Sequence, residues 1–105
     1  MDYYPIYLKL TGKPCVVVGG GNVATRKIAT LIDAGASVSV VSLSISSEIA
    51  GWIDTGAITS YRQGEYQASD LSGQLLVIAA TPSSIVNQQV FDDAEQENAI
   101  NGIVA

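Results

Sequence analysis

Cys15-Val16-Val17-Val18-Gly19-Gly20-Gly21-Asn22-Val23-Ala24 joins two hydrophobic patterns through a run of glycine. Cys15 to Val18 is apolar and mostly β-branched, as expected of a strand covered on both faces. From Asn22 to about Ala34 the period becomes helical: Val23, Ala24, Ile28, Leu31 and Ile32 recur at three- and four-residue intervals. Gly19 and Gly21 permit a tight turn and close approach by a phosphate, and Ala24 is small enough for helix and strand to pack closely. Gly20 adds flexibility, with no separate chemical role assigned to it. The exposed N–H groups at the helix start can hold a pyrophosphate, so residues Gly19, Gly20, Gly21, Asn22, Val23 and Ala24 form the candidate dinucleotide-binding turn. The competing reading is glycine packing with no ligand.

Outward from this unit, strand and helix signals alternate. Before it, Tyr7-Leu8-Lys9-Leu10 has the length of a short edge strand, ended by the Thr11-Gly12-Lys13-Pro14 turn. Behind it, Gly35 stops the first helix and a second strand runs from Ser37 to Val41. Ser46 or Ser47 can cap a shorter helix through Ile53, with Glu48 at the favourable end of its dipole and Gly56 closing it. Ile58 to Tyr61 reads as a third strand. Gly64 to Gly73 is polar and reads as a loop with a helical turn, and Leu75 to Ala80 as a strongly buried strand. A helix from about Ser84 to Glu97 would turn Ile85, Val86, Val90, Phe91 and Ala94 inward. Ala99-Ile100 and Ile103-Val104 suggest a fifth strand, interrupted by Asn101-Gly102. This order predicts an α/β, Rossmann-like three-layer domain with a mostly parallel sheet and right-handed crossovers. It is read as one truncated domain over residues 1–105.

In such a sheet a ligand lies at the carboxyl ends of the strands. Ser42 and Ser44 follow the second strand, where an acidic ribose ligand is usual, and can bond a ribose or merely turn the backbone. No acid stands there, and no arginine that would answer the phosphate of NADP. Thr81 ends the fourth strand and can meet the ligand or cap the next helix. Asn101 is read as either a ligand contact or a turn residue. Arg26 and Lys27 can attract an anion or simply be solvated.

Composition limits the alternatives. The net charge of −5 disfavours an extended nucleic-acid surface, and no apolar run approaches the roughly 20 residues of a membrane span. Met1-Asp2-Tyr3-Tyr4-Pro5 lacks the regions of a secretory signal, so a cytoplasmic location is expected. There is no histidine, which removes His-dependent zinc sites and the usual triads. Cys15 is the single cysteine and reads as a buried thiol rather than a nucleophile. No catalytic and no metal-binding residue is assigned.

Tyr4-Pro5-Ile6, Val17 through Lys27, Asp33-Ala34-Gly35-Ala36, and Val77-Ile78-Ala79-Ala80-Thr81 followed by Asn87 together resemble the precorrin-2 dehydrogenase/sirohydrochlorin ferrochelatase domain of siroheme synthase. The resemblance covers essentially the whole chain but only the first part of the family's domain. It implies NAD as cofactor and NAD-dependent oxidation of the tetrapyrrole precorrin-2 to sirohydrochlorin, in the family often coupled to iron insertion, a lyase activity. It also implies a homodimer, while the net charge argues against a nucleic-acid partner. Asn22 and Val23 would contact NAD at the phosphate turn, Leu43 and Ser44 at its ribose, with Ala80 and Thr81 at the crevice. Family members continue from the asparagine matching Asn101 into Asn-Val-Val-Asp, whose aspartate is implicated in the chemistry. Here Val104 stands in its place. That difference keeps a second function open: a non-catalytic nucleotide-binding or regulatory module.

Overall fold

The computed structural model describes residues 9–97 and 99–103. Along the chain the elements are β1 (Pro14–Val18), α1 (Asn22–Asp33), β2 (Ser37–Ser42), α2 (Ser47–Thr55), β3 (Ser60–Gln63), a 3₁₀ turn (Ala68–Leu71), β4 (Leu76–Ala79), α3 (Ser84–Gln96) and β5 (Ile100–Ile103). They build a five-stranded sheet in the order β3-β2-β1-β4-β5, and every pairing is parallel.

Parallel neighbours need crossover connections, and the helices that supply them cover both faces of the sheet. Alternation along β1 divides its side chains between two cores. Cys15 and Val17 pack with Ala24, Ile28 and Leu31 of α1, Val38 and Val40 of β2, and Ile49 of α2. Val16 and Val18 face the other way, onto Leu71 of the 3₁₀ turn and Val90 and Ala94 of α3. β1 is therefore apolar at successive positions because both of its faces are inside. The Cys15 thiol is buried, which pushes its pKa up, against a smaller lowering by the Leu76 backbone. It is not a poised nucleophile.

Local chemistry sets the helix ends. Gly35 follows α1 with φ 78° and Gly56 follows α2 with φ 83°, left-handed conformations that glycine adopts without a Cβ penalty. Ser46 caps α2 by accepting the Ile49 N–H, and Ser83 caps α3 by accepting that of Val86.

Four expectations need correction. β3 begins at Ser60 rather than Ile58. Ile58 is buried, but its N–H is drawn back to Trp52 O at the end of α2, so the hydrophobic signal precedes the ladder. Asn101-Gly102 does not interrupt the fifth strand: β5 runs through it, with Asn101 opposite Val77 and Gly102 opposite Ile78. Ile85 is 82% exposed rather than inward-facing, and the buried face of α3 is Asn87, Val90 and Ala94. Lys9 and Leu10 form no strand; Leu10 O instead accepts the Lys13 N–H to close a turn. The rest of that proposed strand, Tyr7-Leu8, lies outside the described residues, as do Tyr4-Pro5-Ile6 and Val104.

Candidate functional site

Between β1 and β4 the chain order in the sheet reverses, and the connections leave on opposite faces. Such a switch point opens a crevice beyond the strand ends. Here it holds a cavity of about 980 Å³, large enough for a cofactor-sized ligand. The turn between β1 and α1 and the turn after β4 line it, together with Ser42-Leu43-Ser44 and Gly64-Glu65-Tyr66 at the adjoining ends of β2 and β3.

The three glycines have three different reasons to be glycine. Gly19 has φ 134°, and a Cβ there would lie 2.3 Å from Ala80 O. Its conformation and its neighbour just past β4 both require the absence of a side chain. At Gly20 a Cβ would lie 2.0 Å from Ser44 O and 2.7 Å from Ser42 Oγ. Gly20 is thus a packing contact with the loop after β2, and the flexible filler expected from sequence is corrected. Gly21 is the opposite case: a Cβ would meet nothing within 4 Å. No protein neighbour requires glycine there, and the position opens on the crevice.

The turn's carbonyls are held from behind. Ser46 N–H donates to Gly20 O at 2.9 Å, while the backbone N–H and hydroxyl of Thr25 donate to Gly21 O at 2.9 and 2.7 Å. Thr25 and Ser46 hydroxyls are themselves 2.7 Å apart. With the carbonyls occupied, no protein acceptor among the described residues takes the N–H groups of Gly20, Gly21, Asn22 or Val23. α1 has no side-chain cap and no acid in its first turn. Its first N–H groups are thus left open, the arrangement by which helix starts can hold an anion.

The flanking residues divide between framework and lining. Ser42 Oγ donates to Ser44 O at 2.6 Å, so its hydroxyl turns the loop. Leu43 is 62% exposed and, like Ser44, lines the crevice. Beyond β4, Thr81 and buried Asn87 pair closely. The Thr81 N–H and hydroxyl reach Asn87 Oδ1 at 3.2 and 2.7 Å, and Asn87 Nδ2 donates to Thr81 O at 3.0 Å. The Thr81 side chain therefore fixes the turn, although the residue also lines the cavity beside Ala80.

Of the residues expected from sequence, Gly19 to Val23, Ser42 to Ser44, Ala80 and Thr81 come together around this crevice. Ala24 is fully buried beneath the turn and serves helix packing. Asn101 is within β5, opposite Val77 rather than at the strand's carboxyl end. Neither Arg26 nor Lys27 lines the cavity.

Sequence reasoning missed Gly64, Glu65 and Tyr66, together with Ser83, Ile85 and Gln89 on the start of α3. Residues 64–66 reach the crevice because their surroundings are tied down. Arg62 donates from Nε and Nη2 to the two carboxylate oxygens of Asp70 at 2.7 and 2.6 Å, and from Nη2 to Glu65 O at 2.7 Å. Burial would raise the Asp70 carboxyl, but the Arg62 hydrogen bond, the Gln67 N–H and the guanidinium charge outweigh it and hold the carboxyl below its ordinary range. Tyr66 donates to Asp93 Oδ2 at 2.6 Å. Burial first, then this hydrogen bond and the Asp93 charge, push the phenol well above its usual range and keep it protonated.

A doubly wound parallel sheet, a glycine turn with free N–H groups and a crevice at the switch point define a Rossmann-like nucleotide-binding domain. Residues 6–104 match an NAD(P)-binding family model, and the chain belongs to that family. It is 40% identical over 100 residues to siroheme synthase of Nitrosococcus oceani, covering 95% of this chain and 21% of that protein. With siroheme synthase of Methylococcus capsulatus it shares 47% over 96 residues, 91% of this chain and 20% of the relative. The chain thus spans about a fifth of the length of these curated relatives. Among solved structures, SirC, a precorrin-2 dehydrogenase, superposes with a TM-score of 0.79 at 32% identity, over 85% of this chain and 44% of SirC. D-lactate dehydrogenase from Escherichia coli, at 15% identity and a TM-score of 0.57, covers 82% of this chain and 26% of its own and shares the fold. The resemblance read from the motifs is confirmed. No helix among the described residues is long and apolar enough to cross a membrane.

Proposed function

We propose that this chain is the NAD-binding part of a precorrin-2 dehydrogenase. The observation that carries the reading is the glycine turn, which lines the crevice with N–H groups that no protein acceptor takes among the described residues and with open space at Gly21. The likeness to siroheme synthases and to SirC supplies the substrate class.

Bound NAD would supply a hydride acceptor, and the overall oxidation removes a hydride and a proton from precorrin-2. The chain's own work is binding and orientation. The N–H groups of Gly20 to Val23 hold the pyrophosphate, exposed Leu43 offers an apolar surface, and Ser44 stands beside the ribose. Ala80 and the Thr81–Asn87 pair bound the crevice beyond β4. We assign no residue of this chain to iron insertion; among the described residues no group of three or more metal-ligating side chains is placed to hold an ion. Homodimerisation belongs to the same proposal and is tested by sedimentation over a concentration series.

The parent protein supplied with precorrin-2 and NAD should form NADH. No NADH under conditions where a related dehydrogenase turns over would sink the activity. A second reading, a non-catalytic nucleotide-binding or regulatory module, draws support from the cavity lining, whose titratable groups are Glu65 and Tyr66, the latter engaged by Asp93. Calorimetric titration with NAD, NADP and ATP separates the two from loss of ligand binding altogether: a module binds without turnover.

A further inference from the structure

The usual acid after β2 is missing, yet the crevice is not without charge. Among the described residues that line it, Glu65 is the one with a charged side chain. It follows β3, and the end of β3 is stitched to the loop where the ribose would sit. Gly64 N–H donates to Ser42 O at 3.1 Å, Gln63 Nε2 to Leu43 O at 3.3 Å, and Tyr61 Oη to Ser42 O at 3.0 Å. The acidic residue of the lining thus stands one strand outward from the usual place, beside the loop after β2.

The cation nearest in sequence is withdrawn. Arg62 could answer a phosphate, but its fork is engaged by Asp70 and by the carbonyl of Glu65 itself. With the Arg62 charge paired to Asp70, Glu65 is left as the charged lining residue with no ion-pair partner among the described residues.

Resting on the NAD reading above, we propose that Glu65 is a specificity-determining residue: its carboxylate accepts from the adenosine ribose hydroxyls and repels a 2′-phosphate, so that NAD is taken in preference to NADP. The acid does the work ordinarily assigned to the end of β2, from the end of β3. A 2′-phosphate would bring like charges together at this edge, with Arg62 already committed to Asp70.

The test is calorimetric titration of the full chain with NAD and with NADP, for the wild type, Glu65→Gln and Glu65→Lys. The wild type should bind NAD roughly tenfold more tightly, the scale of one like-charge contact at a partly screened site. Glu65→Gln should bring the two affinities within about threefold, mainly by strengthening NADP, and Glu65→Lys should reverse their order. Added salt should narrow the wild-type ratio but not that of Glu65→Gln. An unchanged NAD to NADP ratio in both variants, with binding retained, overturns the role of Glu65 and leaves the cofactor site standing. A wild type that binds neither nucleotide overturns the NAD reading and this inference with it.

Discussion

The two sides of the crevice are made in different ways. On one side, the β1–α1 turn lies within six consecutive residues, with Gly19 and Gly20 at the places where side chains cannot fit. On the other, residues 64–66 are positioned by side chains distant in sequence: Arg62 to Asp70, and Tyr66 to Asp93. The first wall is a backbone device and the second a side-chain device. A motif can announce the former, while the latter exists only once β3, the 3₁₀ turn and α3 have been brought together.

The largest effect is expected at Gly20. Gly20→Ala places a Cβ against Ser44 O, and overpacking of this kind should cost about 1–3 kcal/mol. Thermal melts and NAD titration should both register it; a variant of wild-type stability would show that the loop after β2 moves aside freely. Next comes Asn87→Ala, which leaves the buried polar groups of the Thr81 turn without partners and should cost about 1–3 kcal/mol in denaturant unfolding. Retention of full stability would mean that water replaces the amide.

Gly21→Ala sharpens the contrast within a single turn. Since nothing in the protein meets that Cβ, stability should change by no more than about 0.5 kcal/mol, while NAD affinity falls roughly tenfold. Equal losses in both measurements would remove the distinction drawn between Gly20 and Gly21. The smallest expected effect concerns pH on the second wall. Because the folded Asp70 carboxyl titrates below its ordinary range, its pairing contributes fully above the unfolded carboxylate value and is lost as pH falls through the lowered folded value. Amide protection factors in residues 62–71, corrected for the intrinsic slowing of exchange in acid, should therefore fall on acidification before those of the core, and Asp70→Asn should remove that step.

What could be read in advance follows the same division. Cys15 to Val18, the stripe through Ala24, Ile28 and Leu31, and the stops at Gly35 and Gly56 are local patterns, and each element formed where its residues indicated. Ile58 misled because hydrophobicity reports burial, whereas strand pairing begins with the ladder to β2. Asn101-Gly102 has the composition of a turn, yet its backbone is held in register by β4. Ile85 continued the apolar pattern of α3 but lies on the cavity rim, while polar Asn87 is inside because its amide is satisfied by Thr81. Glu65 could not be found from the expected acid position after β2, since its place depends on pairing between β2 and β3.

The position of β1 bears on when a newly made chain becomes competent to bind. β1 is the middle strand, with Cys15 beside both Val38 and the much later Leu76. The glycines are made before Ala80, but Gly19 takes its shape against Ala80 O, and the far rim waits for α3. Nucleotide recognition is consequently a late event in the life of the folding chain, acquired as the distant β4 docks. A ligand that requires that completed arrangement would draw the population toward it by mass action, making occupancy a sign that assembly has finished.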